Sequence, residues 1–518
     1  MKFTYTSVNA DMDAFHRHFD DALAAVRAAA GRTWPLYIDG AEVLSDAPLL
    51  DDLSPIDTSV VLGRFQAATP TQVDLAVRAA RKAARSWART PWQERVRLLR
   101  AAAQLIRRRK FELSAIMSLE VGKSRMEAIG DAEESADLID YYCQQMADAD
   151  GFVREMNRIT PQETNTDVLR PYGVFACVAP FNFPLALSAG MSAGALVAGN
   201  TVVYKPAKDT PWTGLKLYEA LRDAGLPPGV FNYLTGRGAD VGDNLVLHSE
   251  VDGVVFTGSR DVGMRIFHAL STRWVKPCLM ELGGKNPTIV MPSADLDAAA
   301  NGVARSAFGL QNQKCSACSR VYVHRDVAEA FTAKLLEKTR ALVIGDPSER
   351  DVFFGPVINE SAIRTWQRAV DQARGEGEIL LGGERLTDGA LARGHYVAPT
   401  IARLPLASSL FMDELFSPFL AVGVVDGLEQ ALAESNRADY GLTAGIFSHD
   451  EAEVGQFLDE IEAGVTYVNK RSGATTGAWP GAQSFCGWKA SGGSGKGGCG
   501  PYYVAQFMRE QSRTVIRE

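Results

Sequence analysis

At 518 residues the chain is too long for one hydrophobic core, because single cores stop growing near ~250–300 residues; two or three domains are expected. With 46% hydrophobic and 22% charged residues it has the composition of a water-soluble globular protein, and a net charge of −8 speaks against nucleic acid or an anionic membrane as main partner. Seven cysteines in a chain of this length do not make a disulfide framework and fit a reducing cytoplasm.

In chain order, the N-terminal stretch to Arg32 carries Asp11, Asp13, Asp20 and Asp21, which suits neither a signal nor a transit peptide. From about Pro91 to Ala147 the sequence reads as helices, with Val96, Leu99, Ala103 and Ile106 three and four residues apart. The basic run Arg107 to Lys110 lies in this stretch and is expected to form a solvated helix face. Beyond Arg170, short apolar runs alternate with helical stretches. Residues 174–178, 201–204, 230–234 and 251–256 read as buried parallel strands, and 185–198, 213–224 and 241–248 as crossover helices. No charge occurs between Arg170 and Lys205, but Pro180, Asn182 and Pro184 break the run, so a membrane span is not expected.

A second α/β run follows Gly284, with strands at 287–291, 320–323, 419–425, 444–447 and 465–469 and helices at 296–308, 327–342 and 428–435. Two α/β domains with a cleft between them are expected. Residues 512–516 read as a strand that would leave an open edge, suited to pairing with another subunit.

Two segments carry most of the chemistry. Glu281-Leu282-Gly283-Gly284-Lys285 puts a carboxylate on a glycine turn, and Gln313-Lys314-Cys315 presents a thiol in a charge-poor stretch. Such a thiol can attack a carbonyl, and the carboxylate can then activate water to release the acyl group. No histidine neighbours Cys315 in sequence, so activation must come from distant groups; a buried, inert cysteine is the plain alternative. Cys315 and Cys318 form one C-x-x-C with no second ligand pair, and no metal site is expected.

Three further segments have both a functional and a plain structural reading. Asn182, in a loop stiffened by Pro180 and Pro184, can offer its amide to a developing oxyanion or simply shape a turn. Gly258 and Ser259, with Gly263 beyond them, sit where a strand meets a helix and a phosphate could approach the helix N-terminus, although no G-x-G-x-x-G is present. Lys205 and Pro206 close a strand at its carboxyl end, where a lysine faces the ligand crevice of such sheets.

In this order, Pro180 to Pro184, Lys205-Pro206-Ala207, Phe256 to Ser259 with Gly263, Glu281 to Lys285, Cys315 and Glu414-Leu415-Phe416-Ser417-Pro418-Phe419 resemble the NAD(P)-dependent aldehyde dehydrogenase superfamily, from about residue 35 to the C-terminus. The resemblance implies two doubly wound α/β domains and a β oligomerisation flap. The Rossmann-like cofactor domain would span 1–148 and 171–283, the catalytic domain 284–465, the flap 149–170 and 489–518, and a return segment with the substrate anchor loop 466–488. It implies Cys315 as nucleophile, Glu281 as the base that activates water, and Asn182 with the Cys315 N–H as oxyanion hole. Lys205, Pro206, Gly258, Ser259, Gly263, Glu414 and Phe416 would surround the dinucleotide.

Within the superfamily, Cys315 to Arg320, Arg107 to Lys110 through Ile139 to Tyr142, and Thr476-Gly477-Ala478 with Gly481 and Gln483 resemble the glutamate γ-semialdehyde (1-pyrroline-5-carboxylate) dehydrogenases of proline breakdown. This implies that Gly477, Ala478 and the Ser316 hydroxyl bind the substrate's α-carboxylate, that Phe183 and Phe485 wall its aliphatic part, and that Asp137 stands near its amine. Leu282, Ser417, the run Ser484 to Trp488 and the added Trp479 depart from the pattern and leave another small or aromatic aldehyde as the alternative. Lys208 stands where many members have a glutamate that repels a 2′-phosphate, so NAD is expected with NADP use open. The implied partners are a small aldehyde and a second copy in a homodimer or larger homo-oligomer; a proline dehydrogenase would be a separate protein. A catalytically silent scaffold has no physical need for Cys315, Glu281 and Asn182 together, and a thiol hydrolase leaves Lys205, Ser259 and Glu414 unexplained.

Overall fold

Phe15, Phe19, Leu23 and Val26, spaced by three or four, give the helix Met12–Ala29 one apolar edge, which packs on the helix Lys110–Val121. The computed structural model describes residues 12–517, so residues 1–11 and 518 of the expected ranges lie outside the described residues. The helical stretch resolves into Trp92–Arg108, Lys110–Val121 and Arg125–Asp148. The last of these is buried on most of its sides and packs on the helix Ala186–Val197.

The first large sheet has seven strands in the order Cys278–Glu281, Gly253–Thr257, Val174–Val178, Thr201–Lys205, Phe231–Tyr233, Leu36–Ile38 and Ala41–Val43. The first five run parallel, and the last two add antiparallel. Their nearly continuous burial explains why they read as apolar runs and not as alternation. The second sheet also has seven strands, in the order Glu378–Leu381, Thr400–Arg403, Phe419–Val425, Cys318–His324, Asn286–Val290, Thr443–Phe447 and Val465–Val468; it is parallel except at its Glu378–Leu381 edge. The expected two-sheet α/β architecture is therefore present, and the structure adds a small sheet of Arg32–Trp34, Val61–Phe65 and Leu50–Leu53.

Three expectations need correction. The boundary at residue 465 cuts a strand, because Val465–Val468 is hydrogen-bonded into the second sheet beside Thr443–Phe447. Only Met508–Ile516 of the segment 489–518 belongs to the flap sheet. It pairs along its whole length with Glu163–Pro171, which pairs in turn with Val153–Met156, so one of its edges is satisfied within the chain. Residues before it fold back on the first domain, where Tyr503 and Phe507 are core residues. The basic run is no solvated face: it straddles the junction of two helices, and Arg107 pairs with Asp137 and Asp140, Arg109 with Asp223 and Lys110 with Glu133.

Candidate active site

The parallel strands Thr201–Lys205, Gly253–Thr257 and Cys278–Glu281 end on the same side of the sheet, so Lys205, Gly258 and Glu281 lie along one crevice. Beyond it a cavity of ≈ 300 Å³ is lined by Cys315, Ser316, Glu281, Phe183, Phe485, Gly477 and Ala478. Folding thus brings together segments from five parts of the chain that are separated by up to about 300 residues in sequence.

Cys315 lies on the turn just before the strand Cys318–His324. Its carbonyl oxygen accepts the Asn286 side-chain amide at 2.7 Å, and a Cβ at Gly284 would come within 2.3 Å of that oxygen, so the glycine turn and the thiol turn are packed backbone to backbone. The approach to the thiol is backbone of left-handed φ at Leu310, Gln311 and Asn312 (48°, 55° and 60°), a run that side chains disfavour. Asn312 holds it by donating to the carbonyls of Ala307 and Cys318, at 2.7 and 2.9 Å. Burial pushes the Cys315 thiol up to about 12, and the Glu281 and Glu414 charges act in the same direction, so the sulfur is held as a thiol. Cys318 faces away, within 3.2 Å of the Thr288 hydroxyl.

Glu281 is the base the cavity offers. Burial lifts its carboxyl to about 8, opposed by a hydrogen bond from the Gly498 N–H at 3.1 Å. Its second oxygen is buried with no hydrogen-bond partner among the described residues. Gly498 is placed by its neighbour: the Cys499 N–H donates to the Tyr142 hydroxyl at 3.2 Å, and Tyr142 stacks on Tyr503. Gly498 and Cys499 were not anticipated as site residues; the one sequence signal for them is the density of glycine from Gly492 to Gly500.

Along the crevice, the Lys205 ammonium is buried and donates to its neighbour Pro206 carbonyl at 3.0 Å, with burial pushing it down to about 8. Glu414 accepts the Gly284 N–H at 2.9 Å; burial lifts it to about 7. A Cβ on Gly283 would lie 2.1 Å from a Glu414 oxygen, so a side chain there would displace the Glu414 carboxylate. Ser259 precedes the helix Arg260–Leu270 and its hydroxyl makes no capping bond. Phe416, at φ 51°, meets the Phe181 ring edge-on at 5.8 Å. Gly263 owes its small size to packing, since a Cβ would meet Leu282 at 2.5 Å. It sits one turn inside the helix, away from the strand-to-helix turn at Gly258.

Two expected site residues are placed differently. Asn182, 3% exposed, is buried in the loop ahead of the helix Ala186–Val197 and does not line the cavity. Asp137 is also off the cavity wall: its carboxylate takes Arg107 at 2.8 Å and the Trp479 indole N–H at 2.8 Å. On the helix Arg125–Asp148 the carboxylates on the wall are Glu127 and Glu134, the latter nearly one helical turn before Asp137. Lys314, also on the wall, is paired with Glu127 at 2.6 Å.

Residues 44–512 match the aldehyde dehydrogenase family. The chain belongs to that family. Among aldehyde dehydrogenases it is similar to the 1-pyrroline-5-carboxylate dehydrogenase of Geobacillus sp. (strain WCH70), with 37% identity covering 97% of this chain and 96% of the relative. A crystal structure of 1-pyrroline-5-carboxylate dehydrogenase from Thermus with bound NAD superposes with a TM-score of 0.94 at 35% identity, covering 100% and 99% of the two chains. Proline utilization A (PutA) from Bdellovibrio bacteriovorus, inactivated by N-propargylglycine, superposes with a TM-score of 0.93 at 34% identity; there this aldehyde dehydrogenase covers 54% of the partner chain. No helix among the described residues is long and apolar enough to cross a membrane.

Proposed function

We propose that this aldehyde dehydrogenase oxidises L-glutamate γ-semialdehyde to L-glutamate with NAD. The observation that carries the reading is the cavity that Cys315 and Glu281 share with Gly477, Ala478 and Ser316. A nucleophile and a base stand at one side and backbone N–H groups able to take a carboxylate at the other. The names of the relatives point to the same substrate class and cofactor.

The Cys315 sulfur attacks the aldehyde carbon, and the Cys315 N–H would hold the resulting oxyanion. The thiol loses its proton to water in this step, and the Ser316 and Cys315 N–H groups favour the thiolate. The crevice suits a dinucleotide by its donor set. A buried ammonium at Lys205 and a carboxylate at Glu414 can bracket ribose hydroxyls, and the uncapped Ser259 opens a helix N-terminus to phosphate. When bound, the nicotinamide supplies the acceptor for the two electrons that leave the carbonyl carbon. Glu281 then takes a proton from water, the hydroxide attacks the Cys315 thioester, and the carboxylate product leaves as the thiol re-forms.

Phe183 and Phe485 would wall the substrate's methylenes, and Glu134, in place of Asp137, would face its amine. The semialdehyde would be supplied by a proline dehydrogenase. Seven free cysteines suit a reducing cytoplasm, and the flap sheet, with exposed Val153, Met156, Val515 and Ile516 on its outer strands, would join copies into a homo-oligomer.

The test is steady-state dinucleotide reduction with glutamate γ-semialdehyde, propionaldehyde and benzaldehyde, each with NAD and NADP. A kcat/KM at least tenfold higher for the semialdehyde supports the assignment. Preference for benzaldehyde would favour the alternative reading, in which Trp479 on the cavity wall shapes an aromatic pocket.

A further inference from the structure

The cavity wall carries three cations, and they are not equivalent. Lys314 is committed to Glu127. Arg305 is exposed and leans toward the Phe353 ring at 5.8 Å, where water screens it. Lys470 is half-buried, makes no ion pair among the described residues, and has its ammonium 4.2 Å above the Tyr467 ring. Burial lowers its pKa, the direction expected of an ammonium withdrawn from water without a counterion.

The backbone aims this side chain. Lys470 follows the strand Val465–Val468 through Asn469, whose φ is 52°. Asn469 fixes that turn with both ends of its amide, accepting from the Ser448 N–H at 3.0 Å and donating to the Ser448 carbonyl at 2.8 Å. The Lys470 carbonyl lies only 2.8 Å from where a Cβ on Gly302 would be, so the base of the side chain is wedged as well. At its far end, the ammonium is 2.7 Å from the place a Gly477 side chain would occupy. Gly477 has φ 106°, a conformation that side chains rarely adopt, which keeps this position bare and lets the cation reach the loop backbone.

An ammonium without a counterion beside the exposed Gly477 backbone is half of a carboxylate site. We propose that Lys470 is a specificity-determining residue that pairs with the α-carboxylate of the substrate at the exposed Gly477 backbone. Tyr467 seats the cation from below, and the aldehyde end is left to Cys315. Lys470 thereby selects aldehydes that carry an anionic group at the far end of a short chain. This inference rests on the substrate reading above and names the group that enforces it.

The test compares 5-oxopentanoate, which keeps the carboxylate and lacks the amine, with pentanal, which has a methyl group in place of the carboxylate. The measured quantity is the ratio of their kcat/KM values in the wild type and in the Lys470→Met, Lys470→Gln and Lys470→Arg variants. Losing a hydrogen bond to a charged group should lower the ratio about 10- to 100-fold in Lys470→Met, through KM, and Lys470→Arg should restore it to within a few-fold. If Lys470→Met is too weak to assay, Lys470→Gln is read in the same way. A ratio unchanged in the neutral variants, with both aldehydes losing alike, would make Lys470 a structural cation on Tyr467 and overturn the proposal. Failure of the broader reading looks different: the wild type itself would show no advantage of glutamate γ-semialdehyde over pentanal.

Discussion

One oxygen of Glu281 accepts the Gly498 N–H at 3.1 Å while the other is buried without a hydrogen-bond partner among the described residues. The pair spans more than 200 residues of chain, and it sets the protonation of the base. Burial raises the Glu281 carboxyl from its ordinary range to about 8. A group with a raised pKa is mostly protonated at neutral pH and becomes an active base only as pH rises through that value. Turnover limited by thioester hydrolysis should therefore increase from pH 6, reach half its maximum near pH 8 and level off about a unit above. Glu281→Gln should abolish the pH dependence and reduce steady-state turnover about 10²–10⁴-fold. A single burst of reduced dinucleotide should survive in that variant, because acylation of Cys315 precedes the step that needs the base. A Glu281→Gln profile that still climbs through pH 8 would assign the titration to another group.

Gly284 and Cys315 make a second prediction. A Cβ on Gly284 would sit 2.3 Å from the Cys315 carbonyl oxygen, and backbone cannot yield as a side-chain tip can. Gly284→Ala should push the nucleophile's turn away by a fraction of an ångström to an ångström. A displacement of that size costs on the order of 10²-fold in rate, so kcat should fall by about that factor. Alkylation of Cys315 by iodoacetamide should continue, since the thiol remains present and only its aim is lost. Full activity in this variant would show that the two turns are not rigidly coupled.

The legible parts of the fold are those in which local pattern and burial agree. The helix Leu296–Phe308 and the strand Phe419–Val425 follow directly from apolar spacing and apolar runs. Cys315 and Glu281 could be singled out because few plain structural roles need a thiol and a carboxylate on turns in that order. Asp137 is expected near the substrate's amine from the family pattern alone, and the helix Arg125–Asp148 is buried on most of its sides. Its periodicity does not say which acidic residues face the cavity; the fold puts Glu127 and Glu134 there and turns Asp137 to Arg107. The stretch before Met508 reads as flap because glycine-rich sequence has no period to read, and the bonds that tie it to the site, Gly498 to Glu281 and Cys499 to Tyr142, are long-range. Lys470 was invisible for a related reason: an isolated lysine acquires meaning only from the Gly477 backbone and Tyr467 ring beside it.

Cofactor choice should turn on Lys208. Its side chain is largely exposed, 3.5 Å from Asp209, and follows the strand end that carries Lys205. A cation there tolerates a 2′-phosphate and a carboxylate repels it. Lys208→Glu should lower kcat/KM with NADP by on the order of tenfold, the worth of about 1.4 kcal/mol, and change the value with NAD by less than about threefold. Equal changes with both dinucleotides would mean that Lys208 does not approach the 2′ position.

Lys123 and Asp131 form an ion pair at 2.7 Å with both side chains 0% exposed. The pair holds two pieces of the site: the Lys123 ammonium lies 3.9 Å over the Phe183 ring, and the second Asp131 oxygen accepts the Ala186 N–H at 2.7 Å. Burial lowers the Lys123 pKa and raises that of Asp131, so for both groups desolvation outweighs the attraction of the partner. Such a pair contributes little net stability, yet breaking it is costly. Asp131→Asn alone leaves a buried ammonium without a counterion and should destabilise the protein by about 3–5 kcal/mol. The double variant Lys123→Met with Asp131→Asn removes the stranded charge and keeps an oxygen for the Ala186 N–H. It should recover most of the loss, which a comparison of urea midpoints would register directly. Activity should not return with stability, because Phe183 has lost the nearer of the two cations over its ring, Lys314 remaining at 5.8 Å; KM for the aldehyde should remain raised in the double variant. Recovery of both together would separate Phe183 from the ion pair and leave Lys123 with a purely structural role.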